Sequence, residues 1–315
     1  MSLRTPTWHT LAREIFRPNE HVTTSEMLNR AGLANWNVRK EPVNYPTGVK
    51  PLSNEYMVLR DTPNGVESLA IVGEKYDVYQ NEDLLAFGDN LLDGGAQWES
   101  AGFFRKGRTI FGALTIDREF TIDPTGANDT TKTYLLVSSS HDGSSSIRAC
   151  VTPVRVICQN TLSLAFKRAK QSWSVRHTQG TQGRITEARE ALALTHAYLD
   201  EFDAIAQGLY QTPITTAQFD KVFETIYPKP EDDKKAQLTK WEAKFDLTRG
   251  LYVSSPTNAN ITGTKWGALN ALTERIDWYR NGDNPMTEGM AVAASGFETG
   301  IQQEKARVLE AVMAL

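Results

Sequence analysis

Cysteine is nearly absent: Cys150 and Cys158 are the only two in 315 residues. Two cysteines cannot form the framework of a small secreted domain. On one continuous strand they would sit roughly 26 Å apart, far beyond disulfide reach. No apolar run approaches the roughly 18 residues that a membrane helix needs. The first residues mix Arg4, His9, Arg13 and Glu14 among apolar neighbours, so they lack the core of a signal peptide. Histidines are sparse, at positions 9, 21, 141, 177 and 196, and there is no H-E-x-x-H or paired C-x-x-C. Zinc chemistry therefore has no sequence support. A G-x-x-x-x-G-K-[ST] loop is missing, which argues against an ATPase, and so is the G-x-S-x-G of a nucleophile elbow. These absences lead to an expectation of a reduced cytoplasmic protein without cofactor or metal.

What is present fits a soluble globular chain, 40% apolar and 23% charged. At about 150 residues per domain, the length suits one large domain or two modest ones. The net charge of −4 is unevenly spread. From Arg148 to Arg189 there are eight basic residues and a single acid, Glu187, a local +7. The rest of the chain carries 26 basic and 37 acidic residues, or −11. Such asymmetry marks an anion-binding surface on an acidic body. The bland alternative is a solvated helix face balanced by tertiary neighbours.

The patterning places strands first and helices later, which predicts an α+β fold rather than alternating βαβ. Ser25 to Leu33 fits a short helix ending at Gly32. Tyr56–Arg60 and Ser68–Val72 flank Thr62-Pro63-Asn64-Gly65, a hairpin signal. Asn81 is expected to cap a helix with Leu84, Leu85, Leu91 and Leu92 on its apolar face. Trp98–Phe104 and Thr109–Ile116 flank a basic tip, Arg105-Lys106-Gly107-Arg108. Tyr134–Ser139 and Ser145–Ile157 flank Asp142-Gly143. Asn160 is expected to cap a helix reaching about Lys170, with Leu162, Ala165, Phe166 and Ala169 inward and the cations outward. Helices are then expected at 185–209, 217–226, 232–245, 265–279 and 300–315. Two regions follow from this: an α+β core over 1–183 and a mostly helical part over 184–315.

Ser140-His141-Asp142-Gly143-Ser144 tempts towards a serine hydrolase, but a triad is assembled in space, not in series. The favoured reading is a turn in which Asp142 bonds local backbone and Gly143 takes a positive φ. The carboxylates Asp77, Glu82, Asp83, Asp89 and Asp93, and Glu242-Ala243-Lys244, fit solvated helix faces better than a metal-dependent nuclease. The basic features are more coherent. Single-strand binding needs cations at phosphate spacing and flat side chains for stacking. Candidate nucleic-acid-binding residues are Arg105, Lys106, Arg108, Arg155, Lys167, Arg168, Lys170, Trp173 and Arg176. Phe103, Phe104 and Phe111 are read as core.

Four segments carry a resemblance: Val72-Gly73-Glu74-Lys75-Tyr76 with Val78-Tyr79-Gln80-Asn81-Glu82, Glu99-Ser100-Ala101-Gly102, the Ser140–Ser144 run, and Thr152-Pro153-Val154-Arg155-Val156-Ile157-Cys158-Gln159-Asn160-Thr161-Leu162. Together they resemble a phage/plasmid-like protein family carried as a domain of unknown function, over roughly residues 30–190. Trp266-Gly267-Ala268-Leu269-Asn270-Ala271 adds a family-like segment near the end. That resemblance implies mobile-element DNA in a bacterial cytoplasm, but no established reaction. The order of helix, antiparallel strands and basic helix is also similar to the core of phage single-strand annealing proteins of the Red-beta and Rad-type group. No annealing motif matches residue by residue. The likeness implies an ATP-independent annealing protein that binds single-stranded DNA as a homo-oligomeric ring or filament. The alternatives are a phage accessory or counter-defence protein that binds another protein, and a metal-dependent nucleic-acid enzyme.

Overall fold

Turn chemistry builds the scaffold. In the computed structural model, which describes residues 4–49, 54–86, 88–145, 147–162, 172–174, 181–280, 286–297 and 299–315, the Pro63-Asn64 turn joins β3 (Glu55–Thr62) to β4 (Gly65–Gly73). With β2 (Arg39–Pro42) they form a three-stranded antiparallel sheet in the order β2-β3-β4. A six-stranded antiparallel sheet runs β1-β5-β6-β7-β8-β9. Its strands are β1 (Ala12–Ile15), β5 (Gln97–Phe104), β6 (Thr109–Ile122), β7 (Asp129–Ser140), β8 (Arg148–Arg155) and β9 (Ser172–Ser174). The fold is α+β, as its patterning predicts.

Both faces of the large sheet are covered. On one face, Ile110, Leu114, Leu135, Val137, Ala149 and Val151 join a large core. That core also takes in α1 (Thr24–Arg30), α2 (Asn81–Leu85) and α3 (Gly88–Asp93). The long α4 (Thr181–Gln211) sends Tyr198, Leu199 and Phe202 into it. Behind it pack α5 (Thr216–Ile226), α6 (Lys235–Val253), α7 (Lys265–Trp278) and α9 (Thr299–Met313). On the opposite face Phe104, Phe111, Tyr134 and Leu136 pack with Trp8, Leu11 and α8 (Glu288–Ala294). Phe104 and Phe111 are thus core residues, whereas Phe103 is half-buried. The expected boundary at 183/184 falls inside the first turn of α4, and side chains from both regions share one core.

Two expected caps are corrected. Asn81 is the first helical residue, with Gln80 at the cap position. Its buried side chain instead donates to Leu33 O at 2.7 Å. Asn160 does not begin a helix at 161. Thr161 bridges Val154 across an isolated β-bridge, and Leu162 N–H donates to Pro153 O at 2.7 Å. These bonds hold 160–162 extended beside β8. Residues 163–171, with Ala165, Phe166 and Ala169, lie outside the described residues. The Asp142 turn is as expected: Ser144 N–H donates to Asp142 Oδ1 at 2.9 Å, and Gly143 has φ 74°.

Candidate nucleic-acid interface

The tip between β5 and β6 is the most unusual piece of backbone. Arg105, Lys106 and Gly107 take left-handed conformations in succession, with φ 53°, 58° and 86°. For the two non-glycine residues this costs roughly 1–2 kcal/mol each. Strain of this kind collects at functional sites and persists where the surroundings enforce it. Here the enforcement is visible. The Arg105 N–H donates to Glu288 Oε1 at 3.2 Å. Below Gly107 lies Arg60, so close that a Cβ would stand 2.4 Å from its Nη1. Arg60 is buried, with its guanidinium 4.1 Å from the Trp36 ring centroid and 5.1 Å from that of Phe103. Its Nη2 donates to Glu67 Oε2 at 2.8 Å. Arg105, Lys106 and Arg108 are therefore exposed on a tip that is held from behind. Arg13 adds a further exposed cation, 4.3 Å from the Phe103 ring centroid.

Register decides what stands beside the tip. Thr109 pairs with Ser140, Ser138 with Arg148, and Arg148 with Ser174. The tip, the Ser140–Ser144 turn, Arg148 and the end of β9 thus share one end of the sheet. Arg148 Nη2 donates to Ser172 Oγ at 2.9 Å. Arg148 belongs to the basic run in the sequence, and only the pairing of β6, β7 and β8 brings it to the tip.

Arg155 is a correction. It lies at the other end of β8, fully buried, and its Nε donates to Asp129 Oδ1 at 2.7 Å. Its Nη2 donates to Asn260 Oδ1 at 2.9 Å. A fully desolvated, paired guanidinium cannot meet a phosphate. Trp173 sits on β9, its backbone paired with Ala149. Lys167, Arg168, Lys170 and Arg176 lie outside the described residues. Of the candidate residues, the structure brings together Arg105, Lys106 and Arg108.

Several polar groups of the family-like segments bond inward. Gln80 both donates to Val38 O and accepts from Val38 N–H, at 2.8 and 2.9 Å. Glu82 Oε1 accepts from Asn35 N–H at 2.7 Å. Asn81 Oδ1 meets His141 Nε2 at 2.7 Å, joining two of the segments. Burial, and then the nearby Arg60 cation, push His141 down to about 4. In a second clasp Trp266 Nε1 donates to Asp129 Oδ2 at 2.7 Å, and Asn160 Nδ2 donates to Thr273 Oγ1 at 2.7 Å. Thr161 N–H donates to Asp277 Oδ2 at 2.7 Å, while Lys305 pairs with Asp277 at 2.7 Å. Cys158, deep in this clasp, has its thiol pushed up to about 11 by burial. Among the described residues no three His, Cys, Asp or Glu side chains converge as a metal-binding group. Among them, too, no helix is long and apolar enough to cross a membrane.

Fold and site together define an α+β protein with one locked and one basic, open sheet end. The chain belongs to the family of the domain of unknown function DUF932, whose model matches residues 68–312. The match takes in the C-terminal helices, well beyond the 30–190 stretch that the sequence segments suggest, and starts after β3. No curated protein and no solved structure matches the chain.

Proposed function

We propose that this protein binds single-stranded DNA at the Arg105–Arg108 end of its large sheet and promotes annealing without ATP, in the cytoplasm of a bacterial host as part of phage or mobile-element recombination. The observation that carries this reading is the strained basic tip, held in place by Glu288 and Arg60 and aligned by register with Arg148. Cations fixed in position suit a phosphate backbone. A few cations per subunit give weak binding, so useful affinity calls for subunits side by side. The open edge of β4, with Val66 and Ile71 exposed, supports self-association by strand pairing. The test is an oligonucleotide-binding assay with single- and double-stranded DNA at two salt concentrations, with light scattering in parallel. The expected result is salt-dependent preference for the single strand and particles larger than the 35.1 kDa monomer. Salt-insensitive or absent binding by a monomer would overturn it and favour a partner-protein role.

A further inference from the structure

A cavity of about 400 Å³ opens at the same end of the sheet, on the face that carries Phe104 and Phe111. Its wall includes Arg105, Thr109, Ser138, Arg148 and Phe297. The lining follows from strand alternation. Thr109 and Phe111 share a face of β6, and Ser138 and Arg148 are paired directly across β7 and β8 on that face. Phe297, from the segment between α8 and α9, packs 5.2 Å from Phe104 and 5.3 Å from Phe111, ring centroid to centroid, and is half-buried.

Three observations point to a ligand. The size falls in the range of small-ligand sites, roughly 300–1,000 Å³. Two guanidinium-bearing residues and four hydroxyl-bearing ones, Thr109, Ser138, Ser144 and Ser145, stand in its wall, the donor chemistry that proteins use for phosphate. Thr109, 6% exposed, has a buried Oγ1 with no hydrogen-bond partner among the described residues. Leaving a buried hydroxyl unpaired is unfavourable, and a bound acceptor would relieve it. The Arg148 guanidinium is oriented beforehand by its bond to Ser172 Oγ, which leaves further N–H groups of the fork for an anion. Glu288 is engaged with the Arg105 backbone N–H and so anchors this wall.

We propose that this cavity is a nucleotide subsite. Arg148 and Arg105 take the phosphate, Thr109 and Ser138 offer hydroxyls to it, and Phe297 presents its ring to the base. The inference rests on the single-strand reading above, and adds where one nucleotide of the strand is gripped.

The test is calorimetric titration of the intact chain with thymidine 5′-monophosphate, thymidine and inorganic phosphate, beside oligo(dT) binding. The monophosphate is expected to bind more tightly than either fragment. Arg148→Gln should weaken it roughly tenfold or more, since a charge-assisted bond is lost. Phe297→Ala should weaken it roughly fivefold or more and leave inorganic phosphate unaffected. Thr109→Val, nearly isosteric, is a second probe of the phosphate end that keeps the core filled and should weaken the monophosphate severalfold. Monophosphate binding no tighter than thymidine, or unchanged in both Arg148→Gln and Thr109→Val, overturns the subsite. If oligo(dT) still binds through the tip while the monophosphate does not, the subsite alone fails. If the wild type binds neither, the single-strand reading fails with it.

Discussion

Arg148 and Arg155 open and close the same strand, and they have opposite fates. Seven residue steps of extended chain separate them by roughly 23 Å. At the Arg155 end the guanidinium is sealed among Asp129, Asn260 and the Thr257 carbonyl. At the Arg148 end the strand meets the exposed tip and a cavity. Equal charges in one basic run thus do unequal work. One end of the sheet uses charge to fix the C-terminal helices onto the strands; the other presents it to solvent. A local charge sum does not see the difference, because the neutralising carboxylate comes from the far end of β7.

The largest effect is expected at the locked end. Asp129→Ala removes the acceptor of both Arg155 Nε and Trp266 Nε1. Stranding a buried guanidinium should cost about 3–5 kcal/mol in a denaturant titration. A loss below 1 kcal/mol, the size of a surface pair, would dissolve the distinction between the two ends.

His141, at the tip end, tests the clasp that it makes with Asn81. Its folded pKa is pushed from 6.5 down to about 4. The unfolded chain therefore takes up this proton near pH 6.5 and the folded chain only near pH 4. Between those values the unfolded state holds more protons, so stability falls on acidification, with the full loss reached below about pH 4. The loss should approach about 3 kcal/mol. His141→Gln should flatten the dependence of the urea midpoint between pH 7 and pH 4; an unchanged dependence would locate the acid sensitivity elsewhere.

Smaller effects belong to the open end. Lys106→Gly relieves left-handed strain but adds glycine's entropy cost, a net gain of about 0.5–1 kcal/mol. A loss of stability would mean that the Lys106 side chain itself holds the tip. Smallest of all, Cys150 and Cys158 are buried and unbridged. Native protein should resist thiol labelling at pH 8, and the double Ala variant should keep DNA binding within a few-fold. Rapid labelling would place one of them in a more open setting.

Much of the scaffold is legible in the sequence. Asn64-Gly65 and Asp142-Gly143 mark real turns, and the long apolar periodicities of α4, α5 and α7 mark real helices, because these signals are local. Asn81 and Asn160 mislead because their side chains cap nothing local; each bonds to segments far along the chain. The four-residue strands β1 and β2 escape notice, since such short strands exist through their partners. The seven-residue α8 escapes for the same reason. At the candidate site the basic tip is legible as a hairpin. Its left-handed backbone, the Arg60 beneath it and the arrival of Arg148 depend on sheet register and long-range packing.

The most direct test of the open sheet end as the DNA site is the salt dependence of oligo(dT) affinity. It compares the wild type with a variant carrying Arg105→Ala, Lys106→Ala and Arg108→Ala. Thermal unfolding of the variant should stay close to that of the wild type, since exposed charges contribute little to stability. Each lost phosphate contact should reduce the log-affinity versus log-salt slope by roughly 0.7, about 2 in all. The account predicts that drop together with weaker binding at low salt; an unchanged slope and affinity in a folded variant would contradict it.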